Sequence, residues 1–571
     1  MFRAALRQYL EEAAKRAVTD GALPDVPLPS VEVDVPRGRR HADYASNLPL
    51  ALARPAGRPP REIAQAIVDA LEIPPQQVAR VEIAGAGFIN FFLAPAWLHD
   101  LLRHIYSAGD TYGNRDLGRR RRVNVEYVSA NPTGPLHIGS GRNGVIGDVL
   151  ANVLAALGYD VVREYYINDA GLLVHALAQS VEHHYFAHFG QEKPFPEDGY
   201  RGEYVRDLAM QIVQRDGNVW LARPEDERLT AFREFALGEI LVEMRRTLEE
   251  FGIRFDVWFS ERTLYEQGAV DRALAALRER GLLYEQDGAV WFRSTSFGDD
   301  KDRVIIRSNG RPMYYAADIP YHLNKLERGF ELLIDVWGVD HFGDVARVKG
   351  GLAALGVDTS RLEILLYQHV RLRNEGELLR MSRRRGEFVT LADLLDAVGR
   401  DAARYFLCMY TPSVPMDFDW QLAREKSQDN PVYYVQYAHA RISSILRETL
   451  NHPVGRALVA PAVLAGGQPF DLAAIRDADL SVLTHETEIA LLHALAELPE
   501  VIEIAGRRRE PQRLCTYARE LAEAFHVFYT QCRVLSDDLR LTTARLILTA
   551  AVRLVLRRTL GLIGVSAPDR M

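Results

Sequence analysis

A strand, a Pro/Gly-rich turn, a helix and a second strand follow one another between Arg122 and Asp169. "RVNVEYV" has the apolar density of a buried strand, and the turn "SANPTGPLHIG" comes directly after it. Val145, Val149, Val153 and Leu157, with Ile146, Leu150 and Leu154 beside them, then recur at helical spacing. "GYDVVREYYIND" supplies the second strand. A βαβ unit of this kind demands a parallel sheet and a right-handed crossover. Three later apolar runs, "VIIRS", "ELLIDVWGV" and "LEILLYQHVRL", are each followed by loop or helix. The spacing predicts an α/β domain over residues 111–405 with a doubly wound parallel sheet. A charged, helical stretch at about 180–280 reads as an insertion in it.

The 571 residues are too many for one core, and 48% hydrophobic residues are enough for several. Residues 1–110 read as a small α+β domain. An opening helix leads into "GALPDVPLPS", an alternating strand "VEVDV", the helix "PPREIAQAIVDAL" and the glycine-broken strand "VEIAGAGFINFFL". After about Leu407 strands give way to helices such as "NPVYYVQYAHARISSIL" and "RLCTYARELAEAFHVFYTQC", so residues 406–571 read as an all-α bundle. The stretch 451–469 reads as a loop within it.

Composition excludes some function classes. No apolar run approaches the roughly 18 residues that span a bilayer, so no membrane partner is expected. A formal charge of −8 provides no general attraction for nucleic acid, leaving that to local basic patches. Cys408, Cys515 and Cys532 stand far apart without a Cys-x-x-Cys pair, which fits a reducing, cytoplasmic setting and no zinc ribbon. Glu11 and Glu12 in "MFRAALRQYLEEAAKRAV" mark an ordinary first helix rather than a transit peptide.

A Pro/Gly turn between a strand's carboxyl end and a helix start is where α/β sheets bind anions. Asn131-Pro132 and Gly134-Pro135 shape this one, so that His137 projects near the helix start, and Gly139 leaves room for a flat base. An imidazole there can stabilise charge growing on an α-phosphate. "HIG" by itself reads equally well as a histidine that merely caps the helix.

"PLHIGS" resembles the HIGH signature of class I aminoacyl-tRNA synthetases, and "RMSRRRGEFVTLADLL" resembles their KMSKS loop. "VEYVSANPTGPLHIG", "YINDAG", "RPMYYAADIPYH" and "DVWGVDHFGDV" together resemble the arginyl-tRNA synthetase family. "HADYASNLPLALA" and "GAGFINFF" are similar to that family's additional amino-terminal domain, and "YARELAEAFHVFY" with "LGLIGVSAPDRM" to its anticodon-binding domain. The resemblance implies a cytoplasmic, monomeric ligase that joins L-arginine to tRNA(Arg) with ATP, magnesium accompanying the ATP and no zinc being held by the protein. His184 and His188 have zinc-ligand spacing, but no third ligand completes a set.

The resemblance also implies roles for residues. Glu126, Asn131, Tyr314 and Asp318 match arginine-binding positions, and carboxylates suit a guanidinium fork. Glu126 reads equally well as a strand glutamate paired to one of Arg119–Arg122, and Tyr314 as core. Asp340 and His341 resemble residues that approach the adenosine of ATP, although Asp340 also reads as a helix N-cap. His137, Gly139, Ser140 and Arg383 match catalytic positions, and Met381, Ser382 and Arg383 belong to the ATP loop. Two departures stand out: Ser140 replaces the last histidine of HIGH, and Arg380 and Arg383 replace both lysines of KMSKS. Arginine keeps the charge but presents a fork rather than a point. Tyr433, Tyr437, His439 and Arg441 are candidate anticodon contacts, with helix packing as the alternative. A class I synthetase for another amino acid and a non-catalytic RNA-binding relative are the competing readings. Glu126 and Asp318 speak against the first, and the set His137, Gly139, Glu126 and Asp318 against the second.

Overall fold

The computed structural model describes residues 2–36, 42–310, 313, 315–374, 377–379, 389–449 and 472–571. The amino-terminal part consists of α1 (Phe2–Thr19), β1 (Tyr44–Ser46), α2 (Leu48–Ala56), α3 (Pro60–Asp69), β2 (Val78–Ala84), β3 (Phe88–Leu93) and α4 (Pro95–Ala108). The glycine-broken run is a β2–β3 hairpin, with Gly85 and Gly87 at positive φ in its turn. "VEVDV" makes no ladder, only a bridge from Asp34 to Ala45. Val31 and Val33 are buried all the same, so its period of two records a packed face rather than a sheet strand.

β4 (Arg122–Glu126), α5 (Ile138–Ala156) and β5 (Asp160–Ile167) form the expected βαβ unit. Helices α6 (Leu172–His188), α7 (Glu203–Asp216) and α8 (Glu225–Glu250) follow as the insertion. The helical stretch ends earlier than its charge pattern suggested. β6 (Val257–Ser260) lies inside it and pairs parallel with β5 at the sheet edge, a run of four residues too short to carry a period. After α9 (Arg262–Glu266) and α10 (Ala269–Glu279), β7 (Leu283–Gln286), β8 (Ala289–Phe292) and β9 (Arg303–Ile306) make a separate antiparallel sheet. "VIIRS" therefore belongs to a hairpin layer rather than to the parallel sheet.

The chain returns through α11 (Tyr315–Glu327), β10 (Leu332–Gly338), α12 (Phe342–Ala354) and β11 (Leu362–Tyr367). The five-stranded sheet has the order β11-β10-β4-β5-β6, and every pair in it is parallel. "LEILLYQHVRL" is two strands, not one. It breaks at Gln368–His369, and β12 (Val370–Asn374) joins β13 (Glu377–Leu379) and β14 (Met416–Asp419), which lies beyond α13 (Leu391–Cys408), in a sheet of their own. β14 is thus a strand within the part expected to be all helical. The remainder is helical: α14 (Trp420–Arg424), α15 (Pro431–Thr449), Leu472–Asp477, Glu486–Ala496, Leu498–Arg508, Arg513–Gln531 and Leu539–Ile563. The loop expected at 451–469 lies outside the described residues. A doubly wound α/β domain flanked by an α+β part and a helical part is the architecture observed.

α5 is the axis of the molecule. It is buried on nearly every side, between the sheet, α13 and the last helix, which is why its apolar residues crowd all round it. Gly147 has no room for a side chain, because a Cβ there would lie 2.2 Å from the Tyr127 ring. Arg404 of α13 is fully buried. It pairs with Asp148 of α5 and donates to the carbonyls of Phe251 (3.0 Å) and Ile563 (2.8 Å). One guanidinium thereby joins the sheet domain, the end of the insertion and the last helix. The amino-terminal part docks on the helical part through Arg3–Glu497 (2.8 Å), Arg7–Glu500 (2.6 Å) and Tyr106 Oη on the Ile547 carbonyl (2.9 Å). Among the described residues no helix is long and apolar enough to cross a membrane.

Candidate active site at the switch point of the sheet

The chain leaves β4 toward β5 and β6 on one side and returns to β10 and β11 on the other. The strand order therefore reverses between β4 and β10, and a crevice opens at their carboxyl ends, where doubly wound sheets bind ligands. A cavity of about 800 Å³ occupies it, lined among others by Glu126, Asn131, His137, Gly139, Ser140, Glu261, Asp318, Asp340 and His341. Glu126 ends β4, in register with Asp335 of β10.

The turn from β4 to α5 is strained and tied down. Val128 and Ser129 take φ of 65° and 38°, which a β-branched residue adopts only under compulsion. Asn143 of α5 supplies it, accepting from Val128 N (2.6 Å) while its amide donates to the Val336 carbonyl of β10 (2.8 Å). Tyr166 N donates to Ser129 Oγ (3.1 Å), and Tyr165 Oη donates to the Ala130 carbonyl (2.8 Å).

His137 is the N-cap of α5. Its Nδ1 accepts from Ser140 N at 3.1 Å, so the capping reading and the site reading hold together. An accepting Nδ1 puts the proton of the neutral ring on Nε2. Gly139 must be glycine because a Cβ there would stand 2.8 Å from His137 Cε1. Its bareness thus makes room for the imidazole. Leu391 N donates to the Leu136 carbonyl (2.7 Å), which brings the start of α13 against the same turn. Arg142, fully buried one turn into α5, donates to the carbonyls of Gln368 (2.7 Å) and Val414 (2.9 Å) and binds β12's entry to the helix. Asp340 and His341 form the short turn after β10, and His341, not Asp340, is the N-cap of α12. A hydrogen bond with Asp344 (3.2 Å) holds the His341 imidazole above its ordinary pKa.

The acidic wall contains one residue that the sequence did not single out. Glu261, just after β6, lines the cavity together with Glu126 and Asp318. Burial pushes its pKa to about 7, and the neighbouring Asp318 adds to the rise. Its hydrogen bond from Tyr265 Oη is long, at 3.4 Å. Asp318 is likewise raised to about 7, by burial and then by Glu126. Among the described residues no cation pairs with either carboxylate. Glu261 escaped notice because it lies in the stretch read as helical insertion; the strand-like "VWF" before it was the available signal.

Glu126 is different. It pairs with Lys325 of α11, not with any of Arg119–Arg122. Lys325 is fully buried and also binds Asp335 (2.9 Å), which takes the His322 Nε2 on its other oxygen (2.7 Å). Burial holds the Glu126 carboxyl above its ordinary range, and Lys325 offsets only part of that rise. In Lys325 burial disfavours the charge, and Asp335, Glu126 and Glu164 outweigh it.

Tyr314, Met381, Ser382 and Arg383 lie outside the described residues. On the helical part, Tyr433 and Tyr437 stack with centroids 6.3 Å apart, Tyr437 faces His526 at 6.1 Å, and Arg441 lies over Tyr529 and donates to its hydroxyl (3.0 Å). His439 is excluded from that face. It is buried, its Nδ1 bonds the Pro568 carbonyl at 2.9 Å, and burial lowers its pKa to about 4.

Known proteins match this layout from end to end. The family described as "Arginyl tRNA synthetase N terminal domain" matches residues 3–93, "tRNA synthetases class I (R), catalytic domain" matches 102–408, and "DALR anticodon binding domain" matches 435–571. An arginine–tRNA ligase of Moorella thermoacetica is 48% identical over 566 residues, covering 99% of this chain and 98% of its own. The one from Desulforudis audaxviator is 47% identical over 574 residues, covering 100% and 99%. The solved Thermus thermophilus arginyl-tRNA synthetase superposes with a TM-score of 0.75 at 25% identity, over 99% of this chain and 100% of that one. With its catalytic, amino-terminal and carboxy-terminal parts all matched, the chain belongs to the arginyl-tRNA synthetase family of class I synthetases.

Proposed function

We propose that this chain activates L-arginine with ATP and transfers it to tRNA(Arg). The observation that carries the reading is the pair Glu261 and Asp318, two carboxylates facing a cavity without a cation of their own, beside a histidine-capped helix start. A guanidinium satisfies both carboxylates through its fork of donors. Glu126 and Asn131 take the α-amino end of the arginine, and Tyr314 packs over the side chain.

An arginine carboxylate oxygen attacks the α-phosphorus in line. The bond to the β-phosphate oxygen breaks, and pyrophosphate leaves with magnesium that entered as MgATP. His137, donating through Nε2, and the backbone at Gly139 and Ser140 stabilise the charge on the α-phosphate. Asp340 and His341 border the adenosine, and Met381, Ser382 and Arg383 serve the departing phosphates. A terminal ribose hydroxyl of tRNA then attacks the acyl carbon and AMP leaves. No enzyme nucleophile is needed, since positioning and charge stabilisation suffice. Tyr433, Tyr437 and Arg441 are the proposed anticodon contacts, and the stacked tyrosines near the Arg441 guanidinium support that role.

The three family matches support a division near residues 110 and 405 into a tRNA-binding part, a catalytic part and an anticodon-binding part. We take the enzyme to be a cytoplasmic monomer that holds no zinc and activates arginine only with tRNA bound. Arginine-dependent ATP–pyrophosphate exchange tests this on the wild type with and without tRNA, and on Arg383→Ala. Exchange is expected with tRNA, none without it, and a loss of about a hundredfold in the variant. Full exchange without tRNA refutes the tRNA requirement, and an unaffected variant refutes the role of Arg383.

A further inference from the structure

A tyrosine of the helical insertion reaches the active-site turn. Tyr204 stands at the start of α7, where its hydroxyl donates to the Thr133 carbonyl at 2.6 Å. Its ring covers Gly134 so closely that a Cβ there would meet Cζ and Oη at 2.9 Å. From the other side, Tyr165 of β5 donates to the Ala130 carbonyl at 2.8 Å. Two tyrosine hydroxyls from different elements therefore grip the carbonyls on either side of Asn131, and Thr133 N closes the turn onto the Asn131 carbonyl at 2.8 Å. Asn131 itself lines the cavity.

The insertion is a firm base for such a grip. Arg228 of α8 pairs with Glu182 of α6, and both are buried. Tyr185 Oη donates to the Gly217 carbonyl (2.7 Å), and Tyr200 N donates to Ser180 Oγ (3.0 Å). A shift of these helices reaches the turn through Tyr204.

We propose that Tyr204 is a positioning residue for arginine: it holds the Ala130–Gly134 segment so that Asn131 faces the substrate, and through it the insertion sets arginine affinity. This rests on the reading that Asn131 contacts arginine. It gives the three insertion helices a part in amino-acid binding.

Steady-state pyrophosphate exchange with saturating tRNA, on Tyr204→Phe, Gly134→Ala, the double variant and Asn131→Ala, tests it. Tyr204→Phe keeps the ring and loses one hydrogen bond. It is expected to raise the arginine KM about fivefold, with the ATP KM within about twofold and the thermal midpoint within about 2 °C. Gly134→Ala pushes the ring off the turn and raises the arginine KM similarly, and the double variant is no worse than the poorer single one. An unchanged arginine KM in Tyr204→Phe, or a fall in kcat that follows a lowered thermal midpoint with both KM values unmoved, overturns the proposal. If Asn131→Ala leaves the arginine KM unmoved, the Asn131 assignment fails first and the proposal with it. If Asn131→Ala raises it and Tyr204→Phe does not, the grip alone is wrong.

Discussion

Glu126 and Asp318 open into the same cavity and differ in who neutralises them. Glu126 belongs to a closed layer in which Lys325, Asp335 and His322 satisfy one another beneath the floor. Asp318 and Glu261 belong to an open wall, where burial disfavours ionisation; Asp318 adds to the rise in Glu261, and Glu126 and Asp344 add to the rise in Asp318. Both layers are acidic, so residue type does not separate them. The partner set does: a matched layer holds a shape, and an unmatched one is completed by a ligand.

The sharpest way to break this contrast is Asp318→Asn. The amide removes a charge-assisted, two-pronged bond to the guanidinium, about 3–4 kcal/mol. Arginine kcat/KM is expected to fall about 10³-fold in pyrophosphate exchange while the ATP KM changes little. Stability moves the opposite way. Asp318 rises from 3.8 to about 7 on folding, so its carboxyl costs nothing below the lower value and progressively more as pH climbs to the upper one. The full cost is ~4 kcal/mol, and because Asp318 is only half-buried, water cuts it to about 2 kcal/mol. The variant is therefore expected to melt higher than the wild type at pH 8, with a smaller gap at pH 5. A lower midpoint at pH 8 would mean that Asp318 already has a cationic partner.

The same titration sets a pH dependence of substrate binding. Asp318 and Glu261 both lie near pH 7 in the empty site, and the guanidinium binds their ionised forms. Arginine affinity is expected to drop steeply below pH 7, approaching about a hundredfold per pH unit because both carboxyls must lose a proton, and to level off above 8. Isothermal titration of arginine in the presence of tRNA would measure this, with ATP affinity as the control. A flat profile between pH 6 and 8 would place both carboxyls in the ordinary acidic range and remove the distinction between the layers.

How much of this was legible in the sequence follows from range. The βαβ unit was legible because periodicity and turn chemistry are local, and His137 and Gly139 because the turn carries them together. Asp318 was legible through a matched motif. Glu261 was not: it lies 135 residues after Glu126 in the chain, and only the parallel pairing of β5 with β6 carries it to the cavity. The alternative pairing of Glu126 with one of Arg119–Arg122 fails for a related reason. Arg119–Arg122 are near in sequence, but a strand projects its residues along its length, and Arg122 bonds the Arg328 carbonyl at the far end of β4 (2.6 Å). Lys325, on a helix that packs over the sheet, reaches Glu126 instead. "VEVDV" and β6 fail in opposite directions, one alternating without a ladder partner and the other paired without room to alternate.

The smallest effect is expected at Glu126, and it tests the contrast from the closed side. Glu126→Gln keeps the shape of the floor and the hydrogen bond from Lys325, whose charge Asp335 still balances at 2.9 Å. What is lost is attraction for the substrate's α-ammonium across a charge that Lys325 already screens, about 1 kcal/mol. Arginine KM should rise about fivefold, two orders of magnitude less than the loss at Asp318, with kcat nearly unchanged. If Glu126→Gln costs as much arginine affinity as Asp318→Asn, the cavity has one acidic layer instead of two.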